Sequence, residues 1–364
     1  MNMATMNCNV EELKAQGYKP CPGCGVYYDP ADSKVKDGHC GNCGTDLNLS
    51  PEEAAAVRLS DGELAGQLSV LNQKANTMKI LALICVIGVF VLWLVHPLAG
   101  AAMIIPAAVF AVLSGKAGSQ AKDLLANNIT RDIISGVFDE CIYAAGYRLP
   151  DEMLREAALI PKWDMATGSD LISAKYRGHV INFSDIELSE EVEREDSEGN
   201  TSTSYETKFK GQWMILELGR EVPAQLRLRE NIQRTGKLSK KLFGERIENK
   251  DDVKTENEAF NKRFQILTED EHSAFYILTP HFMEFIMSAD DAADTRIYLS
   301  FVENRVHIAC YTGKDSFELQ KNDGANLDAI RARMKSELRY ITSIADELLK
   351  NEYLFGSTEA GGLG

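Results

Sequence analysis

Residues 80–113 read ILALICVIGVFVLWLVHPLAGAAMIIPAAVFAVL: two apolar halves meet at His96-Pro97, and no formal charge falls between Lys79 and Lys116. Each half has sixteen residues. As α-helix that is about 24 Å, a little under a hydrocarbon core of about 30 Å. Snorkelling lysines and local thinning make up the difference. Burying both halves in a soluble fold would need an unusually large core, so a transmembrane helical hairpin is expected over 79–114. In its second half Gly100, Ala101, Ala102, Ala107, Ala108 and Ala111 allow close helix approach, which makes a homo-oligomer an alternative to a lone hairpin. Pro106 is expected to kink that helix. Lys74 and Lys79 precede the first span and Lys116 and Lys122 follow the second, while the tip holds only His96. Both termini are therefore expected on the cytoplasmic side of a bacterial inner membrane.

The sequence on either side extends the two helices. Ser60-Asp-Gly-Glu63 has the pattern of a capping box, and Leu64, Leu68, Leu71, Ala75 and Met78 then repeat at fours and threes. Leu125, Ile129, Ile133 and Val137 form a matching stripe after the second span. The spacing predicts a helical linker or stalk over 50–78 and a second stalk helix over 115–145, packed on one another.

Nearer the front, Cys21-x2-Cys24 and Cys40-x2-Cys43 group four of the eight cysteines, with fifteen residues between the pairs. Two short Cys-x-x-Cys turns supply the tetrahedron of thiolates that structural Zn2+ requires. Gly25 and Gly44 follow the pairs directly, where backbone wrapping a metal calls for positive φ. A zinc ribbon over 19–49 is the expectation, with Cys21, Cys24, Cys40 and Cys43 as ligands and His39 a bystander. Free thiols in a flexible tail are the plain alternative; a redox dithiol would need only one pair in a βαβ setting. Cys8, Cys85, Cys141 and Cys310 stand alone, a distribution that suits a reducing compartment. The first twenty residues lack a cationic start and an apolar stretch, so no cleavable signal peptide is expected.

A net charge of -15 and a pI near 5.0 argue against nucleic acid as a partner, since phosphate binding needs a cationic face. The ribbon loop sets Lys34 and Lys36 against Asp29, Asp32 and Asp37, with no basic stripe. Protein contact or plain structure is favoured for it.

From 146 to 355 the pattern mixes strands and helices without βαβ alternation, which indicates an α+β domain with an antiparallel sheet, followed by a flexible tail over 356–364. AKYRGHVINFSDIEL and ETKFKGQWMILEL alternate as half-buried strands. Between them EEVEREDSEGNTSTS is polar and acidic, and reads as a mobile loop or hairpin tip. RIYLSFVENRVHIACYT reads as a hairpin turning at Glu303-Asn304. The residues from Ala325 onward form an amphipathic helix that buries Leu327, Ile330, Met334, Leu338, Ile341 and Leu348. Thr279-Pro280 reads as a helix start, burying Phe282, Phe285 and Ile286. That start puts His281 and Glu284 on one face, a thin candidate for metal or acid-base chemistry. His179, His272 and His307 look isolated, and Cys310 lacks an evident base. SGKAGS at Ser114 reads as the end of a membrane helix, and no nucleophile elbow or dinucleotide fingerprint is present.

NFSDIEL, FKGQWMIL, NEAFNKRFQILTEDEHSAFYILTPHFMEFI and YLSFVENRVHIA together resemble the successive blocks of a bacterial family, domain of unknown function 3137. The resemblance runs over roughly 129–312. It rests on Phe183-Ser184 with Asp185, Phe209-Lys210-Gly211, Phe260-Asn261-Lys262 to Phe264, and Leu278-Thr279-Pro280 leading to Phe282-Met283-Glu284. It implies membrane spans paired with a cytoplasmic domain and no known activity. The sequence therefore predicts a non-catalytic inner-membrane protein whose zinc ribbon and α+β domain meet an unknown protein partner at the cytoplasmic face. The alternatives are a component of an oligomeric transport or envelope complex, and an enzyme with its site in the carboxy-terminal domain.

Overall fold

The hydroxyl of Ser60 accepts from the Glu63 N–H at 3.4 Å, and the Glu63 carboxylate accepts from the Ser60 N–H at 3.1 Å, so the capping box starts a helix where the pattern places it. The computed structural model describes residues 14–23, 25–31, 38–40, 45–56, 59–95, 101–144, 146–195, 201–230, 252–293, 295–317 and 326–355. A short helix α1 (Pro51–Ala56), boxed in the same way by Ser50 and Glu53, precedes α2 (Asp61–Val95), 35 residues without a break. Helix α2 is about 52 Å long at 1.5 Å per residue, more than a bilayer core requires. Helix α3 (Ile104–Leu125) returns alongside it: Met103 packs on Gly88, and the buried Ser114 hydroxyl donates to the Ala75 carbonyl at 3.1 Å. Residues 101–102 are helical, Met103 is a turn and α3 begins at Ile104, so the helix is interrupted just ahead of Pro106, whose missing N–H falls in the first turn of α3.

The hairpin has two environments. Its outer part exposes Ile84, Ile87, Phe90, Trp93, Ile105 and Val112. Both helices are long and apolar enough to cross a membrane, over Asp61–Trp93 and Ile104–Lys122. In its root Leu64, Leu68, Leu125 and Ile129 are buried in the same core as Phe183, Met214 and Met334. A π-helical turn (Ala126–Thr130) and α4 (Arg131–Ser135) complete the root. The expected stalk helix to 145 ends early: Gly136 caps α4, its N–H bonding back to Asp132 and Ile133, and the next residues form a strand of the main sheet.

Short strands β1 (Lys19–Pro20) and β2 (Tyr27–Tyr28) pair with each other. The other strands are β3 (Asp139–Ala144), β4 (Met165–Tyr176), β5 (His179–Glu195), β6 (Thr201–Glu217), β7 (Leu226–Glu230), β8 (Asp252–Val253), β9 (Phe264–Thr268), β10 (Arg296–Val302) and β11 (Arg305–Tyr311). Among the described residues they form one sheet of nine strands in the order β3-β4-β5-β6-β11-β10-β7-β9-β8, every pair antiparallel. The α+β expectation with an antiparallel sheet therefore holds. Helix α5 (Asp151–Glu156) follows β3, and α6 (Glu258–Arg263), α7 (Glu271–Ile277) and α8 (Pro280–Ala293) flank β9 and β10. Helices α9 (Leu327–Leu348) and α10 (Glu352–Phe355) close the chain's described part. Alternation along the strands divides the side chains between two cores. Ile181, Phe183, Met214, Leu216 and Ile308 face the hairpin root and α9. Ile186, Leu188, Trp213, Ile215 and Ala309 face α5, Trp163 and the cysteine-bearing segment. All six residues expected on the inner face of α9 are buried.

Two strand readings change. AKYRGHVINFSDIEL is the end of β4 and the start of β5, turning at Arg177 and Gly178, which take φ of 49° and 85°. A two-residue turn of this hand fits hairpin twist and preserves the alternation on either side, so the pattern hides it. The acidic stretch is mostly strand: β5 and β6 stay paired as far as Glu195 and Thr201, beyond their other neighbours, and only the tip at 196–200 lies outside the described residues. Lys208 pairs with Glu190 at 2.7 Å, and Lys210 with Glu187 at 2.7 Å, which offsets the run of negative charge. The turn at Glu303-Asn304 is as expected, with Val302 opposite Arg305.

Leu68→Ala and Leu125→Ala are each expected to destabilise the domain by about 2–5 kcal/mol, as deletions in a packed core do. Ile84→Ala, in the exposed outer part, should leave the domain within about 0.5 kcal/mol. Urea unfolding of detergent-solubilised protein, followed by the near-ultraviolet signal of the buried tryptophans, measures the difference.

Candidate metal centre

Cys21 and Cys40 open the same kind of turn. The Cys21 N–H donates to the Val26 carbonyl at 2.9 Å and the Cys40 N–H to the Thr45 carbonyl at 2.8 Å, five residues on in both cases. Their flanks match as well: Pro20 pairs with Tyr27 and His39 with Asp46, and the Leu47 N–H reaches the Gly38 carbonyl at 2.8 Å where Lys19 pairs with Tyr28. The segment is thus one hairpin built twice. In the first copy the Gly23 N–H donates to the Cys21 sulfur at 3.3 Å, and Gly25 takes a φ of 72° that a side chain would strain. Such N–H groups turned toward sulfur stabilise a thiolate.

The copies face each other. A Cβ on Gly23 would stand 2.0 Å from the Thr45 hydroxyl oxygen, so a residue of the first turn lies directly on the second. Burial first, and then the charges of Cys21 and Cys40, raise the pKa of Tyr28. Cys21 and Cys40 are 2% and 7% exposed and belong to the core that contains Ala144 and Leu149 of the main domain. Cys24 and Cys43, the other two expected ligands, and Gly44 lie outside the described residues. Among the described residues no group of three or more His, Cys, Asp or Glu side chains is placed to hold a metal. The donor chemistry of the two described positions, paired thiols in like turns, suits a thiophilic ion such as Zn2+.

The second sequence candidate does not assemble. Thr279 caps α8 as expected, its hydroxyl accepting from the Phe282 N–H at 3.2 Å, with Phe282 and Ile286 buried and Phe285 partly so. His281, however, points to Glu347 of α9 at 2.9 Å rather than to Glu284, and its side chain is 75% exposed. His179 meets Phe355 edge-on and His272 meets Tyr276 likewise. Cys310 is fully buried, and burial pushes its thiol far above the ordinary range. The lone Cys141 is similarly pushed up to about 12 by burial, with Arg131 opposing.

His307 is not isolated. Its ring is fully buried; Nδ1 accepts from the Trp213 indole N–H at 3.2 Å, and Nε2 lies 3.1 Å from the Glu156 carboxylate, which also holds Arg305 at 3.0 Å. Because indole only donates, the neutral ring carries its hydrogen on Nε2. Burial lowers its pKa while Glu156 opposes the fall. Its partners lie 94 and 151 residues away in the chain, so no local pattern could reveal them. A fully buried ring with both nitrogens engaged ties α5 to the sheet and offers nothing to a substrate.

Residues 207–350 match the model of the family described as a protein of unknown function, DUF3137. The match takes in β6 through α9, and with them three of the four sequence blocks; NFSDIEL lies before it and α9 extends it. No curated protein matches the chain. Among solved structures, the mycobacterial trehalose monomycolate transport factor A, TtfA, is similar at 13% identity over 54% of this chain and 88% of that one, with a TM-score of 0.28.

Gly23→Ala is expected to force the two turns apart, because the methyl cannot share space with a β-branched side chain fixed on the backbone. Hydrogen exchange should rise across 38–47 as well as 19–28, while α9 keeps its protection.

Proposed function

We infer that the chain is a non-catalytic membrane-anchored protein. The outer hairpin lies in lipid, and a zinc ribbon and the α+β domain are held together on one aqueous side, where they dock a protein partner. The observation that carries this reading is the exposed apolar sheath of the hairpin's outer part, set against a root that shares the domain's core. In water each such large apolar side chain forfeits about 1.5–3 kcal/mol relative to burial, and a bilayer removes that penalty. Lys74, Lys79, Lys116 and Lys122 all sit on the root side, the distribution expected if that side is the cytoplasm of a bacterium and the membrane its inner one. Cys21, Cys24, Cys40 and Cys43 would hold one structural Zn2+, giving a module too small for its own core a second source of order beyond its contact with the sheet.

Full-length protein purified in mild detergent is expected to carry one zinc per chain, and Cys21→Ser together with Cys40→Ser to carry none while still fractionating with membranes. Zinc-free wild-type protein would end the ribbon part of the reading, and recovery from carbonate-washed membranes as a dispersed soluble species would end the anchor.

A further inference from the structure

A second polar centre, unrelated to the cysteines, lies where α3 meets the sheet. Between Ser169 and Ile172 the register of β4 shifts against β5, and Asp170 in that bulge takes a φ of 60°. Bulges re-aim side chains. Here the bulge sends a carboxylate into full burial: Oδ1 accepts from the Tyr143 hydroxyl at 2.5 Å, and Oδ2 accepts from the Ser169 hydroxyl at 2.6 Å and lies 3.1 Å from Lys122 Nζ. The ammonium of Lys122, on α3, also donates to Ser169 Oγ at 2.8 Å. Asp185 stands opposite Ser169 on β5 and is 1% exposed. Its Oδ2 accepts from the Ser316 N–H, and its Oδ1 is buried with no hydrogen-bond partner. Gln212, opposite Asp185 on β6, directs its Nε2 to Ser316 Oγ at 2.8 Å.

Among the described residues the charges at this centre do not balance. Asp170, Asp185 and the ammonium of Lys122 leave one negative charge in excess, and burying an uncompensated carboxylate is strongly unfavourable. The other described elements around it do not supply a further cation. Tyr143 on β3 is a neutral donor; Asp315, after β11, is negative and is held by Lys210 at 3.2 Å, which also binds Glu187; Glu337 on α9 receives the Phe317 N–H and pairs with Arg333. We propose that Asp170 and Asp185 form a buried single-proton site, whose occupancy sets how firmly Lys122, and with it the second apolar helix, is held against the sheet. The direction of titration agrees: burial first, then Asp170, hold the Asp185 carboxyl well above the ordinary range, with the Ser316 N–H opposing. With the proton in place, the Asp170–Lys122 pair lies beside a neutral carboxyl. On its loss two like charges are buried side by side, and an opening that hydrates them, with α3 and Lys122 moving off the sheet, becomes easier.

The sign follows from linkage. A carboxyl whose folded-state pKa is raised stabilises the fold fully below the ordinary carboxylate range, and that stabilisation is lost as pH rises toward its folded value. The test uses the full-length chain in lipid nanodiscs, with carboxyl-labelled aspartate followed by 13C NMR and hydrogen exchange followed in peptides across 114–125, corrected for intrinsic rates. One aspartate is expected to stay protonated at neutral pH and to vanish from the spectrum in Asp185→Asn. Exchange in α3 should rise with pH by up to about tenfold per unit in the wild type and stay flat in Asp185→Asn, whose amide mimics the neutral acid. In Asp170→Asn the rise should move to lower pH. The wild-type titration decides even if a variant fails to fold: aspartates all ionised well below neutrality overturn the proposal. So does an unchanged exchange profile in Asp185→Asn, or a profile that follows sodium or potassium concentration rather than pH.

Discussion

The hairpin and the sheet share one core, and the rest of the molecule depends on that. Leu64 and Leu68 from α2, and Leu125 and Ile129 from α3 and the turn after it, pack among Phe183, Met214 and Met334 rather than only on each other. Each such burial contributes about 1.5–3 kcal/mol. The polar links around it are smaller. Asp61 and Arg331 form a bidentate pair at 2.6 and 3.0 Å, but Asp61 is exposed and water screens such a pair. Leu59 N–H to Asn128 adds a further tie at the foot of the hairpin. Packing fixes the position of the two helices, and the polar groups set their register.

One helix thereby has two kinds of surroundings. Below Ala75, α2 shows the narrow seam of a helix that faces a protein; above Lys79 apolar side chains cover its whole circumference. No break, glycine pair or proline interrupts α2 between these regimes. On the opposite face of the sheet the cysteine-bearing hairpins rest against Ala144 and Leu149, and a Cβ placed on Gly25 would stand 3.8 Å from the Arg131 guanidinium of α4. Strand β3 therefore contributes to both cores, Tyr143 to that of the hairpin root and Ala144 to that of the cysteine-bearing segment.

How much of this could be read from the sequence depended on whether the partners were near in the chain. The two apolar spans, the Ser60–Glu63 box, the stripe of α9 and the turn at Glu303-Asn304 are local patterns, and each stands where the sequence places it. The β4–β5 turn was hidden because Arg177 and Gly178 continue the alternation they interrupt. The acidic run read as loop because the lysines that offset it lie across the ribbon or in a preceding loop, as Lys162 does for Glu190. At the sites, half of the cysteine set is described, in turns whose likeness the spacing anticipated. His307 and Asp170 gave no signal, and Asp185 entered only through the family resemblance, since a buried polar residue is recognised by partners that only tertiary structure brings to it.

Trp93 offers the most direct measure of the central claim, that the outer hairpin is immersed in lipid while the sheet is not. It is 56% exposed near the end of α2, whereas Trp163 and Trp213, the other two tryptophans, are 5% and 0% exposed in the domain. In vesicles containing brominated phospholipids, part of the tryptophan emission should be quenched, and Trp93→Phe should remove the quenched part and leave the remainder unchanged. Equal emission with and without bromine, or quenching that survives Trp93→Phe, would contradict the account.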